Sequence, residues 1–442
     1  MISVDFSAPQ GCLREIHGAN IGPLCMNGYY DLSDYHRRVR FPTIRLHDCV
    51  FYCWEVVDTP SIFPLFHLDE QDPENYRFAR TDGYLQSILD CGSQIVYRLG
   101  VTIQNHPTFH FNTDPPEDYD KWADICINII RHYNEGWANG FHHNIPYWEI
   151  WNEAENEGPV MWNAPYEEYH RFYVQVTKRI KAACPDIKIG GPAACFPHEP
   201  RLRQFLTAVR EGEAPLDFCS WHCYTGQPTK LVTGAQTVRA LLDEYGYTQT
   251  ESHVNEWNLG PYKNLWTYGG RSVQQSAHWI GRIKGAEGGA LAASGLIALQ
   301  DAAVDMSNFY DATNGPFGMF HDSGVPGKPY YAFLAFREML DHTPVRCQVE
   351  GSDPDEGVAA LAGSAADGSE HRVLLSNLEA ALPDGAVPLS LRGLPEGNWQ
   401  VEHCRLDAHS NLEPVDSFPL PADGQLTLLV MPRTTHLLRL WR

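Results

Sequence analysis

The most informative segment of the chain is residues 147–156, which read YWEIWNEAEN. The segment begins as an apolar β-strand and ends abruptly in Asn152 and Glu153. In a (β/α)₈ barrel the catalytic groups lie at the carboxyl ends of the strands, where the loops open to solvent. A carboxyl flanked by Trp148 and Trp151 is expected to be partly desolvated, which raises its pKa and suits a general acid. Asn and Glu also cap helices that follow strands, but the sequence favours a catalytic Glu153 over such a cap.

A second segment, ESHVNEWN at residues 251–258, has the same construction. It is a short strand that ends in Glu256. About three βα units of roughly 35 residues separate the two segments, which places Glu153 and Glu256 on the fourth and seventh strands of a barrel. Those strand ends face each other across the barrel mouth. Two carboxyl groups so placed fit glycoside hydrolysis, in which one protonates the leaving oxygen and the other attacks the anomeric carbon.

Short apolar strands alternate with amphipathic helices over the first three-quarters of the chain, as in a parallel α/β fold. Eight candidate strands predict a (β/α)₈ barrel, and they lie at residues 15–22, 43–48, 94–100, 146–153, 187–191, 216–224, 251–257 and 291–301. Helices are predicted at 119–137, 165–184 and 329–341, the first two from apolar residues at three- and four-residue steps. Glu149 shares a strand face with Glu153, and Arg45 or Arg98 is the expected partner of its buried charge.

After Pro344 the chain changes to short β-rich segments separated by Gly, Pro and Asp, which indicates a β-sandwich. The segments are 371–378, 387–392, 398–406, 425–431 and 434–441, whereas 353–370 is interpreted as a small polar loop. Residues 2–7 alternate apolar and polar side chains with the period of a half-buried strand. Such a strand needs a sheet to join, so we predict that it pairs with the C-terminal sandwich. The predicted domains are 1–14 for this strand, 15–344 for the barrel and 345–442 for the sandwich.

The chain of 442 residues carries a formal net charge of −22, which disfavours nucleic acid and anionic membranes as partners and favours a neutral or weakly charged substrate. It shows no leader segment and no membrane-length apolar stretch, so a cytoplasmic location is expected. The twelve cysteines have no framework spacing and are expected to be free thiols. On the predicted strand His222 points away from Cys219 and Cys223, so we predict neither a zinc site nor any other cofactor.

The run from YWEIWNEAEN through YHRFYVQVTKRIKAACPDIKIGGPA to DFCSWHCYT resembles glycoside hydrolase family 39 of clan A, which contains β-xylosidases and α-L-iduronidases. The resemblance spans residues 15–340 and is specific around strands four to seven. It implies that Glu153 is the acid/base and that Glu256 is the nucleophile. It also implies that Asn152 binds a sugar hydroxyl on the side of the nucleophile.

Three further residues match the family at predicted strand ends. His47, in IRLHD, matches an active-site histidine, although a polar turn capped by Asp48 would give the same pattern. His222 and Tyr224 match a His-x-Tyr motif, in which the tyrosine hydroxyl contacts the nucleophile and the histidine contacts the sugar or the nucleophile. A purely structural role is the alternative for this pair.

The sequence departs from the xylosidase pattern at the predicted eighth strand. The family usually places a Trp under the sugar there, whereas this chain reads GLIALQDAAVD, with Asp301 at the strand end as a candidate substrate ligand. Stacking on the sugar is then expected from Trp257, Trp162 or Trp266, although each of these is equally suited to ordinary packing.

The sequence predicts a retaining exo-glycosidase, β-D-xylosidase-like or a related β-D/α-L-glycosidase, that acts on an oligosaccharide or glycoside. A carbohydrate-binding barrel without activity is the first alternative. A metal-dependent hydrolase that uses His47, Asp48, His222 and Asp301 is the second, and it is disfavoured because these residues lack tight ligand spacing. The sequence fixes neither the sugar nor the oligomeric state, and a homo-oligomer stays open.

Overall fold

The computed structural model describes residues 1–25, 29–51, 54–103, 111–260 and 273–442. The first thirteen strands are β1 (Ile2–Cys12), β2 (Gly18–Asn20), β3 (Leu24–Cys25), β4 (Tyr30–Asp31), β5 (Thr43–Leu46), β6 (Val50–Phe51), β7 (Trp54–Glu55), β8 (Gln94–Leu99), β9 (Tyr147–Ile150), β10 (Lys188–Ala194), β11 (Phe218–Tyr224), β12 (Glu251–Asn258) and β13 (Met306–Phe309). Strands β2, β5 and β8 to β13 form a closed parallel barrel, while β3–β4 and β6–β7 are short hairpins in its loops. The predicted (β/α)₈ fold is therefore confirmed.

Helices connect these strands and cover the barrel. They are α1 (Ser33–Val39), α2 (Thr59–Ile62), α3 (Ala79–Leu89), α4 (Tyr119–Asn134), α5 (Tyr166–Ala183), α6 (Glu199–Glu211), α7 (Thr229–Glu244), α8 (Val273–Lys284), α9 (Ala286–Leu299) and α10 (Lys328–His342). Helix α4 shows why the predictions at these positions succeeded. Its N-terminus is capped by the Asp118 carboxylate, which accepts a hydrogen bond from the Lys121 N–H. Its apolar stripe, Trp122, Ile125 and Ile129, is buried against the barrel.

The prediction of an eighth strand at 291–301 is wrong. Residues 286–299 form α9, and the eighth strand is β13, which pairs with β12 on one side and β2 on the other. Helix α9 is buried on every face because the barrel covers one side and the C-terminal sheet covers the other. A helix in that position is apolar all round, so it lacks the stripe that distinguishes a helix from a buried strand.

The remaining strands form a nine-stranded mixed sheet with β1. They are β14 (Val345–Glu350), β15 (Ala359–Ser364), β16 (Glu370–Asn377), β17 (Ala386–Arg392), β18 (Gln400–Leu406), β19 (Asn411–Pro419), β20 (Gln425–Leu429) and β21 (Thr434–Trp441). The order is β19-β18-β21-β16-β15-β14-β1-β17-β20, and the sheet curls around its own apolar core. Strand β1 pairs antiparallel with β14 and parallel with β17, which confirms that the N-terminal strand joins this domain. The expectation of a loop over 353–370 is wrong, because Ala359–Ser364 is a buried strand.

The barrel and the sandwich share a continuous apolar layer. Leu361, Leu374 and Leu437 of the sandwich belong to the same buried cluster as the barrel core. The Ser376 hydroxyl donates a hydrogen bond to the Ala290 carbonyl of α9 at 3.0 Å. Within the described ranges, no helix combines the length and the hydrophobicity required to cross a lipid bilayer.

Candidate active site

Glu153 and Glu256 meet at the open end of the barrel. Glu153 lies three residues beyond β9, and Glu256 lies near the end of β12. An oxygen of Glu153, a ring nitrogen of His222 and an oxygen of Glu256 all lie within 4.8 Å of one another. The Glu256 side chain is 5% exposed and that of Glu153 is 14% exposed, so both carboxyls face a small opening rather than bulk solvent.

Arg45 binds Glu256 from the interior of the barrel. Its side chain, on β5, has no solvent exposure, and its Nη1 donates to Oε1 of Glu256 at 2.7 Å. Its Nη2 donates to Oδ1 of Asn152 at 2.7 Å and lies 2.6 Å from Oε2 of Glu149. Of the two partners expected for Glu149, the structure therefore selects Arg45. One guanidinium fixes the orientation of three side chains, two from β9 and the turn after it and one from β12, as its planar fork of donors allows.

His222 and Tyr224 lie two residues apart on β11, so both point into the site. Nδ1 of His222 is 2.7 Å from Oε1 of Glu153 and 3.5 Å from Oε2 of Glu256. The Tyr224 hydroxyl donates to Oε2 of Glu256 at 2.7 Å. The structure thus brings together the two carboxyls with Asn152, His222 and Tyr224, as the sequence predicted.

The expected rise in the pKa of Glu153 is not found. Burial does raise the pKa, but the hydrogen bond and the charge of His222 outweigh it and lower the pKa below the ordinary glutamate value. Trp148 and Trp151 do not enclose the carboxyl: Trp148 stacks on Tyr97 and Trp151 packs against aromatic side chains of the outer layer. Burial alone would lower the pKa of His222, but the charges of Glu256 and Glu153 outweigh it and raise that pKa. Both directions favour a Glu153 carboxylate beside a protonated His222 ring.

His47 and Asp48 lie directly after β5, at the same end of the barrel as Glu153 and Glu256. Nε2 of the buried His47 is 3.3 Å from Oδ1 of Asp48. The Tyr310 hydroxyl donates to the other oxygen, Oδ2, at 2.6 Å. Burial raises the pKa of Asp48 to about 7, although the bond from Tyr310 opposes the shift.

Asp301 lies away from this centre. It follows α9 instead of ending a strand, and its exposed carboxylate forms two hydrogen bonds of 2.8 Å with Arg346 of the sandwich. The strand assignment behind the Asp301 prediction is wrong, so Asp301 is not retained as a substrate ligand.

Two of the three proposed stacking tryptophans, Trp257 and Trp162, do not line the site. Trp257 follows Glu256 on β12, and neighbouring residues of a strand point to opposite faces. Its indole accordingly packs against Phe309 and Phe333 in the layer between strands and helices. Trp162 is fully buried against Trp151. Trp266 lies outside the described residues.

Sequence reasoning missed Tyr310, which directly follows the true eighth strand and donates a hydrogen bond to Asp48. It also missed the link from Arg45 to Glu256 and Asn152. The available signal was weak: the segment MSNFY at 306–310 is short, contains two polar residues and ends in two aromatic ones.

Glu153, His222 and Glu256 also form the one group of acidic and histidine ligands in the described part of the chain whose atoms could converge on a cation. The donor set is already engaged, however. Arg45 places a positive charge 2.7 Å from Glu256, and His222 Nδ1 lies between the two carboxylates. A cation at this point would be repelled by Arg45, so the arrangement fits proton transfer and nucleophilic attack better than metal binding.

Comparison with known proteins places this geometry among the glycosidases. The sequence profile described as "Glycosyl hydrolases family 39" matches residues 31–411. A β-xylosidase from Geobacillus stearothermophilus is 24% identical over 313 residues, which cover 64% of this chain and 60% of that protein. The human α-L-iduronidase is 25% identical over 172 residues, 37% of this chain and 23% of that protein. The chain therefore matches less than two-thirds of the length of either relative.

Solved structures show the same fold over the whole chain. A glucosidase from Croceicoccus marinus superposes with a TM-score of 0.80 at 26% identity and covers 100% of this chain and 98% of its own. A monomeric β-xylosidase from Caulobacter crescentus gives a TM-score of 0.71 at 14% identity, with 100% and 99% covered.

Proposed function

Because the chain belongs to glycosyl hydrolases family 39, we propose that it is a retaining exo-glycosidase that removes a terminal sugar from a short oligosaccharide or glycoside. The observation that carries the proposal is that oxygens of Glu153 and Glu256 lie within 4.8 Å of each other. Catalytic carboxyls are about 5–5.5 Å apart in retaining glycosidases and about 6.5–9.5 Å apart in inverting ones, which need room for a water molecule. The short separation supports a double displacement.

In the first step, a Glu256 carboxylate oxygen attacks the anomeric carbon while the bond to the leaving oxygen breaks. Glu153 supplies the proton that this oxygen takes up. The proton shared with His222 suits this role, because the negative charge of Glu256 is one reason that His222 holds it. As Glu256 becomes an ester, that charge disappears and the proton moves towards Glu153 and the leaving group.

In the second step, Glu153 acts as a base. Its carboxylate takes a proton from a water molecule, the water oxygen bonds to the anomeric carbon, and the ester bond to Glu256 breaks. Two inversions give net retention. His222, 2.7 Å from Glu153, then regains its position as donor to a carboxylate, which resets the pair.

Arg45 and Tyr224 are positioning residues for the nucleophile. Arg45 binds Oε1 and Tyr224 binds Oε2, so the plane of the carboxylate is fixed before substrate arrives. Such preorganisation removes reorientation from the barrier. Asn152, held by Arg45, keeps its amide NH₂ available for a sugar hydroxyl.

The xylosidase-like substrate and the exo action belong to the same proposal. Relatives are named β-xylosidase, glucosidase and α-L-iduronidase, so the family resemblance restricts the class to glycosides and leaves several sugars. The hydrogen bond from Tyr310 to Asp48 joins the ends of β13 and β5 beside the catalytic pair. A pocket closed on that side supports binding of a chain end over binding of an internal sugar.

The test is a panel of aryl glycosides followed by proton NMR on the best substrate. The panel contains the β-D-xyloside, β-D-glucoside, β-D-galactoside, α-L-arabinoside and α-L-iduronide. We expect the first product to have the anomeric configuration of the substrate, with Glu256→Gln as the inactive control. An inverted first product would overturn the mechanism, and binding of sugars without turnover of any glycoside would favour the non-catalytic barrel.

A further inference from the structure

Asp48 is a buried acid that the catalytic cycle above does not use. It follows β5 by one residue beyond His47, and its side chain is 22% exposed, so part of the carboxylate reaches the opening of the barrel. Oδ2 accepts from the Tyr310 hydroxyl at 2.6 Å, and Oδ1 lies 3.3 Å from both the Ile103 N–H and Nε2 of His47. Each carboxylate oxygen has two acceptor positions, so acceptor capacity is left over.

Tyr310 connects Asp48 to the reaction centre. The Tyr310 ring centroid is 6.4 Å from that of Tyr224, whose hydroxyl binds the nucleophile Glu256. It is also 6.4 Å from the His47 ring centroid. Asp48 therefore belongs to the wall of the same pocket, next to Tyr310 and close enough to Glu256 for the charge of Glu256 to act on it.

Two residues near Asp48 hold buried polar atoms that have no hydrogen-bond partner among the described residues: Nδ1 of His47, and Nε and Nη1 of Arg98. His47 is 2% exposed and Arg98 is fully buried. Buried polar atoms without partners are rare, so this side of the site is polar but incompletely paired. A sugar hydroxyl can donate to the exposed part of the Asp48 carboxylate.

The side chains around Asp48 include more acidic than basic groups. Asp58 pairs directly with Arg98 at 2.7 Å, and Glu55 and Asp48 both interact electrostatically with the same guanidinium. Three carboxyl groups thus share one described arginine. A substrate carboxylate placed here would be one more acid in competition for a guanidinium that already pairs with Asp58, whereas a hydroxyl would find an acceptor in Asp48.

We propose that Asp48 is the specificity residue that binds a hydroxyl of the terminal sugar on the side remote from the scissile bond, and that it selects neutral sugars over uronic acids. The inference rests on the proposed glycosidase function, because it assumes that the anomeric carbon lies between Glu153 and Glu256. With Asn152 on the side of the nucleophile, the hydroxyls at C3 and C4 are the ones that reach the Asp48 wall.

The experiment combines substitution of Asp48 with deletion of single hydroxyls from the substrate. Wild type, Asp48→Asn and Tyr310→Phe are assayed on the best neutral aryl glycoside and on its 3-deoxy and 4-deoxy analogues. For Asp48→Asn we expect kcat/KM to fall about 10–100-fold on the parent, the range for a hydrogen bond to a charged group, and to change less than about threefold on one deoxy analogue. Tyr310→Phe should show a smaller loss with the same dependence on that hydroxyl. Asp34→Asn, an exposed position on α1, should match wild type on every substrate.

A loss on the parent that recurs equally on both deoxy analogues would overturn the proposal, because it would show that Asp48 supports the fold or the catalytic residues. Wild-type turnover of the corresponding aryl uronide at the rate of the neutral glycoside would overturn it too. Calorimetric titration of Glu256→Gln, with and without Asp48→Asn, measures binding of the same sugars without turnover. If sugars bind but no glycoside is hydrolysed, the catalytic proposal fails while binding still decides the role of Asp48. If no sugar binds and none is hydrolysed, both proposals fail.

Discussion

Arg45 has two roles, because its side chain neutralises Glu149 and orients Glu256 at once. Replacing Arg45 with Met removes both roles together. Arg45 and Glu149 are both fully buried, and Met has a similar length without charge. Removing one partner of a buried ion pair leaves the other charge uncompensated and costs about 3–5 kcal/mol. A domain of ordinary stability has about 5–15 kcal/mol in total, so Arg45→Met should unfold at a clearly lower urea concentration. Loss of the bond to Glu256 should also lower kcat by about 10–150-fold.

The double variant Arg45→Met/Glu149→Met distinguishes these effects. It removes Glu149, the deeper of the two carboxylates that lost their partner, so part of the stability should return. Activity should not return, because Glu256 still lacks the donor that orients Oε1. Arg203→Met, which breaks exposed ion pairs on α6, serves as the matched control and should change neither quantity. An Arg45→Met variant as stable as wild type, or a double variant with wild-type kcat, would refute the reasoning.

Three other predictions concern the acid/base, the acidic wall and the sandwich. Glu153→Ala should lose activity least on substrates with good leaving groups, which need less protonation. Azide should restore turnover of this variant, because it attacks the glycosyl-enzyme without a base. A rate of phenol release that does not change on addition of azide would contradict the acid/base role of Glu153. Burial and the charges of Asp48 and Asp58 raise the pKa of Glu55 to about 8 from 4.5. The folded state therefore holds this proton more tightly than the unfolded state, so the contribution of Glu55 to stability is lost as pH rises from about 4.5 to about 8. Glu55→Gln should flatten the fall of Tm in that pH window. An unchanged slope of Tm against pH would count against this prediction. Residues 1–344 expressed alone should aggregate or melt earlier than the whole chain, since α9 would lose its cover; a soluble barrel with unchanged Tm and activity would contradict this.

The barrel was predictable where a strand ends in a polar residue after an apolar run. Glu153 and Glu256 were found in this way, because the period of a strand and the geometry of a barrel fix which end opens to solvent. Residues 286–299 were not recognised as a helix, since a helix covered on both sides carries no polar face. The error moved the expected strand end to Asp301 and hid Tyr310, the residue that lies at the site.

The electrostatics of the site depend on distances between strands, which the sequence does not contain. Indole rings beside Glu153 suggested a raised pKa. Trp148 points outward from β9, however, and Trp151, beyond the strand end with a positive φ, packs into the same outer layer, while His222 from β11 lowers the pKa. Arg45 illustrates the same limit. Its partnership with Glu149 was one of two candidates, but its simultaneous bonds to Glu256 and Asn152 required three strand ends to be placed in space.

The most direct test of the central claim is identification of the residue that forms the covalent intermediate. Incubation with a 2-deoxy-2-fluoro glycoside of the preferred sugar, bearing an activated leaving group, should trap the glycosyl-enzyme because the fluorine slows its hydrolysis. Peptide mass spectrometry should then place one sugar on Glu256, and the label should be absent from Glu256→Gln. A label on Glu153, or a wild-type protein that turns over glycosides with inversion and never carries a label, would contradict the account.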